Sequence, residues 1–287
     1  MNATATATAT ATGQARPWAE ALRSRQGLTA LTVLALLTAV CFAVPLLPLD
    51  PTAIDLTARS QAPSARHLFG TDDLGRDYLA RVLYGGRVSL LVGTLSMAAA
   101  TVIGTLVGLV AAVGRPWVDN VLMRLVDFLS SIPWMILVIV ASVLLRPGLT
   151  TIIIVIGGFS WMTTARLVRA DVLSIKERAY VAYAGFLGES PGLVVVRHIL
   201  PAALPTILVA ATSSVSAAML TEASLSFLGL GIQAPMTSWG CLLQTAQGSL
   251  QQQPYLALIP GLLIIVTVMS CNALGNTLRR AVLREAA

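Results

Sequence analysis

Asp127 and Glu222 are the carboxylates whose surroundings could make them do chemistry. Asp127 stands in Arg124-Leu-Val-Asp-Phe inside an apolar run, and Glu222 closes another such run just before Ala223-Ser224. An acid set against apolar sequence can relay a proton, gate a passage or pair with a cation, because an unpaired charge there is costly. For Asp127 the three readings are an i, i+3 pair with Arg124, a gate and a proton relay. For Glu222 they are a solvated helix end, and part of an outer mouth or of an interface with a partner subunit. The other reactive types are arranged against catalysis. Lys176, the sole lysine, sits in Ser174-Ile175-Lys176-Glu177 with no glycine near it, so the chain carries no GxxxxGK[ST] phosphate loop. His67 and His198 are too far apart in sequence to suggest a local metal site, and Cys41, Cys241 and Cys271 show no CxxC spacing. No metal ligand set is assigned, and the chain is not expected to hydrolyse ATP itself.

The elements that hold these residues must live in a bilayer. The chain has 287 residues, 56% of them hydrophobic and only 11% charged, with a mean hydropathy of +0.79. A soluble domain carries about 25% charged residues, so a soluble globular enzyme is excluded. Residues 1–26 read as a polar, disordered tail that opens on the Ala-Thr alternation from Ala3 to Thr12. Residues 27–287 read as one all-α membrane domain with six spans at about 28–48, 88–113, 121–145, 147–166, 199–221 and 256–275. The first span reads as an uncleaved signal-anchor, with the h-region of a cleaved signal peptide as the alternative. Pro133, Pro201, Pro205 and Pro260 predict kinks.

An even number of spans puts both termini on one side. The basic residues concentrate in the tail, the 114–124 loop, the 166–198 loop and the C-terminus, which predicts that these face the cytoplasm. The net charge of +6 then reports topology and not nucleic-acid binding.

The long cytoplasmic connection, 167–198, is predicted as a helix ending at Gly188, a break, and a short second helix capped by Ser190 and Pro191 before the span opened by Pro201. Tyr180, Tyr183 and Leu187 fall on one helical face. That face either packs back on the chain's own spans or fits a groove in a soluble partner.

This loop resembles the "EAA" loop of bacterial ABC importer permeases, in their dipeptide/oligopeptide/nickel branch. Tyr180-Val181-Ala182-Tyr183-Ala184-Gly185-Phe186-Leu187-Gly188 occupies the motif and Arg197-His198-Ile199-Leu200-Pro201 closes it. Ala182 replaces the usual glutamate and Tyr183 the first alanine, which leans toward a metal or metallophore cargo. The stretch from His67 to Leu90 is similar to the family's GTDxxGRD…SRxxxGxRxSL signature, and Thr221 to Gly240 to its EASLSFLGLGxxPPxPSWG signature. The resemblance covers about residues 67–280. It implies a type I importer permease, half of a pore, with no cofactor of its own. It also implies partners: a second homologous permease, two cytoplasmic ATPases that bind ATP and Mg2+, and an extracytoplasmic solute-binding protein, all at the bacterial inner membrane. The loop ending near Gly188, closed by Ile199 and Pro201, would be the ATPase-coupling element.

The remaining candidates are weighed on their residues. Gly75-Arg76-Asp77, next to Asp73, would cap an amphipathic segment running to Ser89 along the membrane surface, with Arg87 facing lipid phosphate or a partner. Gly229, Gly231 and Trp239 lie in an uncharged, Gln-rich stretch that suits a re-entrant segment near the pore mouth, or else a plain outer loop. The reading from another class is a proton-coupled secondary transporter that uses Asp127 and Glu222.

Overall fold

The computed structural model describes residues 24–145 and 148–285. The Ala-Thr repeat therefore lies outside the described residues, as do Arg146, Pro147 and the last two residues. Among the described residues there are ten α-helices and no strand. Helix α1 is Arg25–Ala43, capped by Ser24, whose side chain accepts from the Gly27 amide at 3.0 Å. It begins two residues before the expected domain boundary, and a 3-10 turn, Val44–Leu46, ends it at Pro45.

Helix α2, Tyr78–Val113, has 36 residues. At 1.5 Å per residue it is about 54 Å long, well beyond the thickness of a hydrocarbon core. The expected surface-lying helix before Ser89 is thus corrected: those residues are the first turns of α2, and Tyr78, Arg81 and Val82 are buried. Asp77 does cap it, accepting from the Ala80 amide at 2.9 Å.

The third expected span is broken. Helices α3 (Pro116–Ser131) and α4 (Trp134–Leu144) meet at 81° across Ile132-Pro133. Proline lacks the amide that would continue the ladder, and its ring disfavours a helical residue before it. Five helical stretches are long and apolar enough to cross a membrane alone, and a sixth exists if the bent pair counts as one.

Helix α5, Leu149–Lys176, extends ten residues past the expected end of its span. The predicted single helix to Gly188 divides at Glu177-Arg178, and α6 is Ala179–Phe186. Gly188, at φ +81°, ends it as expected. Helix α7 (Pro191–Val194) passes through a π turn, Val195–Ile199, into α8 (Leu200–Phe227). Pro201 therefore opens no new span. Helix α9 is Trp239–Ala246, and α10 is Tyr255–Glu285.

Helices α2 and α5 make the most extensive pair. Ser96, Ala100, Gly104, Gly108 and Ala112, spaced four apart, form a buried stripe on α2. Small residues let backbones approach where lipid gives helices no hydrophobic reason to associate.

Candidate functional site

Helix α6 is held from below. Val181 and Ala184 are buried with Val172 and Ile175 of α5, Val194, Ile199 and Ala203. Lys176 Nζ donates to the Ala112 carbonyl at 2.6 Å and ties the end of α5 to α2. Glu189 lies 3.0 Å from His198 Nε2, joining the segment after α6 to the start of the next helix. The Tyr180 ring stands 6.4 Å from His198.

The outer side of α6 is apolar and uncovered. Tyr183 is 64% exposed, Leu187 69% and Phe186 87%. The face predicted from Tyr180, Tyr183 and Leu187 thus points away from the chain's own spans. Within the candidate set, Val181, Ala184 and Ile199 form the buried base beneath the exposed ridge. Ala182 is exposed beside the ridge and Pro201 lies on the surface. Phe186 was the residue missed, because it falls off the i, i+3, i+7 pattern.

A cavity of about 880 Å³ lies between the α3–α4 break, α5, α8 and α10. Its walls mix Trp134 and Phe159 with the hydroxyls of Ser130, Thr163, Thr206 and Ser213. These hydroxyls can hydrogen-bond a polar solute transiently. Arg166 and Arg279 also line it. Asp127 accepts from Arg166 Nη2 at 3.0 Å, and both side chains are exposed. The expected Arg124 partner is replaced by Arg166 of α5, 39 residues away. An exposed pair of this kind contributes about 0–1 kcal/mol.

At the opposite end of the bundle Glu222 is fully buried, which corrects the solvated reading. Ser89 of α2 donates to its Oε2 at 3.0 Å, and Ser226 to its Oε1 at 2.7 Å. The Trp239 amide reaches Ser89 Oγ at 3.2 Å, and Trp239 Nε1 donates to the Val82 carbonyl at 2.9 Å. Glu222 is thus a clasp between α2, α8 and α9. Among the described residues its hydrogen bonds all lie at this end of the bundle, away from the Asp127–Arg166 pair.

The 228–238 segment is non-helical, buried at Gly231, Ile232, Thr237 and Ser238 and exposed from residue 233 to 236. A Cβ on Gly231 would sit 2.0 Å from Ser226 Oγ, and one on Gly86 would sit 2.7 Å from the Trp239 ring. Gly229 turns at φ +78°. Trp239 itself is completely buried. Trp239→Ala is expected to cost about 3–5 kcal/mol by cavity formation. Thermal unfolding in detergent checks this, and an unchanged midpoint would contradict the packing role.

The stretch before α2 is a fixed polar knot. Asp72 accepts from Arg76 Nε at 2.7 Å and from the amides of Leu74 and Arg76 at 3.0 Å, and it also pairs with Arg81. The Asp73 carbonyl accepts from Arg59 Nε at 2.8 Å, and Asp77 lies 2.9 Å from His67 Nδ1. A Cβ on Gly75, at φ +76°, would meet the Asp55 carbonyl at 1.8 Å. Arg87 stands apart from this knot, its guanidinium 5.7 Å from the centre of the Phe42 ring.

Long apolar helices, a broken helix pair beside a hydroxyl-lined cavity, and an uncovered aromatic ridge on a short helix define an α-helical membrane permease. The chain belongs to the family described as binding-protein-dependent transport system inner membrane component, whose profile matches residues 104–286. It is 40% identical over 265 residues to a protein named as a peptide permease in Brucella suis biovar 1, covering 90% of this chain and 88% of that protein. It is 36% identical over 266 residues to a glutathione transport system permease protein of Pectobacterium atrosepticum, covering 92% and 88%. A dipeptide transport system permease protein of Alkalihalophilus pseudofirmus is 36% identical over 270 residues, covering 92% and 89%. The fold matches a chain of the MetNI methionine ABC transporter in an inward-facing conformation, with a TM-score of 0.59 at 21% identity, over 71% of this chain and 97% of that one. The protein is an inner-membrane transport permease subunit, and not an enzyme.

Proposed function

We propose that this chain forms half of the translocation pore of an ATP-driven importer of short peptides. The uncovered ridge Tyr183-Phe186-Leu187 on its rigid base carries the reading. A stable apolar patch on a short helix next to basic sequence suits the groove of a soluble partner. In this reading α6 seats in one of two ATPase subunits, which bind the ATP and Mg2+. Closure of the ATPases moves α6 as a rigid body and rocks α5 and α8 around the hydroxyl-lined cavity. A second, homologous permease completes the pore, and a solute-binding protein delivers cargo at the end of the bundle opposite α6. Both termini and α6 face the cytoplasm, as the distribution of arginines supports. The names of the relatives support peptides over nickel or a metal chelate as cargo.

The test is a mild-detergent pull-down of the tagged chain from its native membrane. A second six-span protein and one or two Walker-motif ATPases are expected to co-purify. Recovery of the chain alone, or as a homo-oligomer free of ATPases, would overturn the reading.

A further inference from the structure

At the end of the bundle opposite α6, a second cavity of about 410 Å³ lies between α2, the start of α5 and the loops that carry Pro51 and Pro235. That volume is within the range of small-molecule sites, about 300–1,000 Å³. Its walls are mostly apolar, with Val88, Leu91, Leu149 and Met236 among them. Thr52, Tyr84, Arg87 and Thr237 break this lining, and two of them carry an unused polar atom. Thr237 is 5% exposed and its Oγ1 is buried without a hydrogen-bond partner. Arg87 Nε is likewise buried and unpartnered. Among the described residues no acid pairs with the Arg87 guanidinium, whose one recorded contact is the Phe42 ring. Buried polar groups are nearly always satisfied, so two unused donors lining one apolar pocket point to an acceptor from outside the chain.

We propose that this pocket binds the free C-terminal carboxylate of a peptide cargo. The guanidinium fork matches the two oxygens of a carboxylate, and the Thr237 hydroxyl adds a further donor. The apolar walls take the side chain of the cargo's last residue. Phe42 contacts the cation from one side without neutralising it. The inference rests on the peptide-import reading and deepens it, by placing a first contact for cargo in this chain. The chemistry recognised, an anionic pair of oxygens on an apolar body, is shared with a phospholipid headgroup, so the test separates the two.

The full-length chain is placed in phosphatidylcholine nanodiscs, and binding of radiolabelled Ala-Phe is compared with that of Ala-Phe amide. The acid is expected to bind at least about tenfold more tightly than the amide, and Arg87→Gln is expected to remove that preference. Thr237→Val, nearly isosteric, is expected to weaken the acid alone, which guards against misfolding of the arginine variant. Equal binding of acid and amide, or binding of neither, would overturn the inference. So would displacement of Ala-Phe by phosphatidylglycerol, which would mark a lipid headgroup site. Uptake of Ala-Phe by cells with and without the chain reports on the peptide-import reading by itself, so the two failures are distinguishable.

Discussion

The double variant Tyr183→Ala, Leu187→Asp is expected to insert and fold normally but to lose its ATPases and all transport. Both side chains stand on the open side of α6 and support nothing beneath them. The helix is held instead by Val181 and Ala184, which the substitutions do not touch. Truncating a buried aromatic anchor at an interface typically costs 2 kcal/mol or more, about a thirtyfold loss of affinity. A carboxylate driven into the same apolar groove adds a desolvation cost of similar or larger size. Together they predict a loss of affinity beyond about a hundredfold. Co-purification of ATPase with the tagged variant, and substrate uptake by cells that carry it, are the two readings. Normal uptake would remove the docking role from α6. Val181→Asp is the informative contrast, because it buries a charge in the base of the same helix and should abolish the fold itself.

Much of this arrangement was legible in the sequence, for reasons that differ from place to place. Charge-free runs marked the membrane helices, because a bilayer tolerates few charges in its core. Gly188 and Pro191 marked the end of one helix and the start of another through their backbone preferences alone. Pro133 was read as a kink, but the size of the break, 81°, was not legible from the proline alone. Pairings over distance were not legible. Arg124 was the local choice for Asp127, and nothing in the sequence could show that Arg166 of α5 stands within reach. The burial of Glu222 was hidden for a similar reason. Its neighbour Ser226 is one turn away, but Ser89 comes from 133 residues earlier and Trp239 closes over both. The small-residue stripe on α2 did have a signal, the Gly104-x-x-x-Gly108 spacing within a longer four-residue repeat.

That stripe carries the second large effect. Gly108→Leu is expected to prevent stable accumulation of the chain in the membrane. A Cβ at this position would stand 2.7 Å from the Ala165 carbonyl oxygen and 2.9 Å from Val168 Cβ. At Gly104 the corresponding neighbours are Thr164 Cβ at 2.6 Å and the Trp161 carbonyl at 2.7 Å. Carbonyl oxygens inside a helix cannot step aside as a flexible side chain could, so the two helices must separate. Overpacking of this kind costs about 1–3 kcal/mol or more in soluble cores. In lipid the loss of close contact removes the main force that joins the helices. Gly158→Leu, on α5 itself, serves as the control, since nothing lies within 4 Å of the added carbon. The measurements are the steady-state amount of each variant in the membrane and its unfolding midpoint in detergent. Wild-type behaviour of Gly108→Leu would mean that the close α2–α5 contact is not what holds the bundle. The consequence reaches α6, because α5 ends two residues before α6 begins and Lys176 anchors that end to Ala112 of α2. A separated pair would leave α6 without the rigid rod through which movement of a bound ATPase must pass.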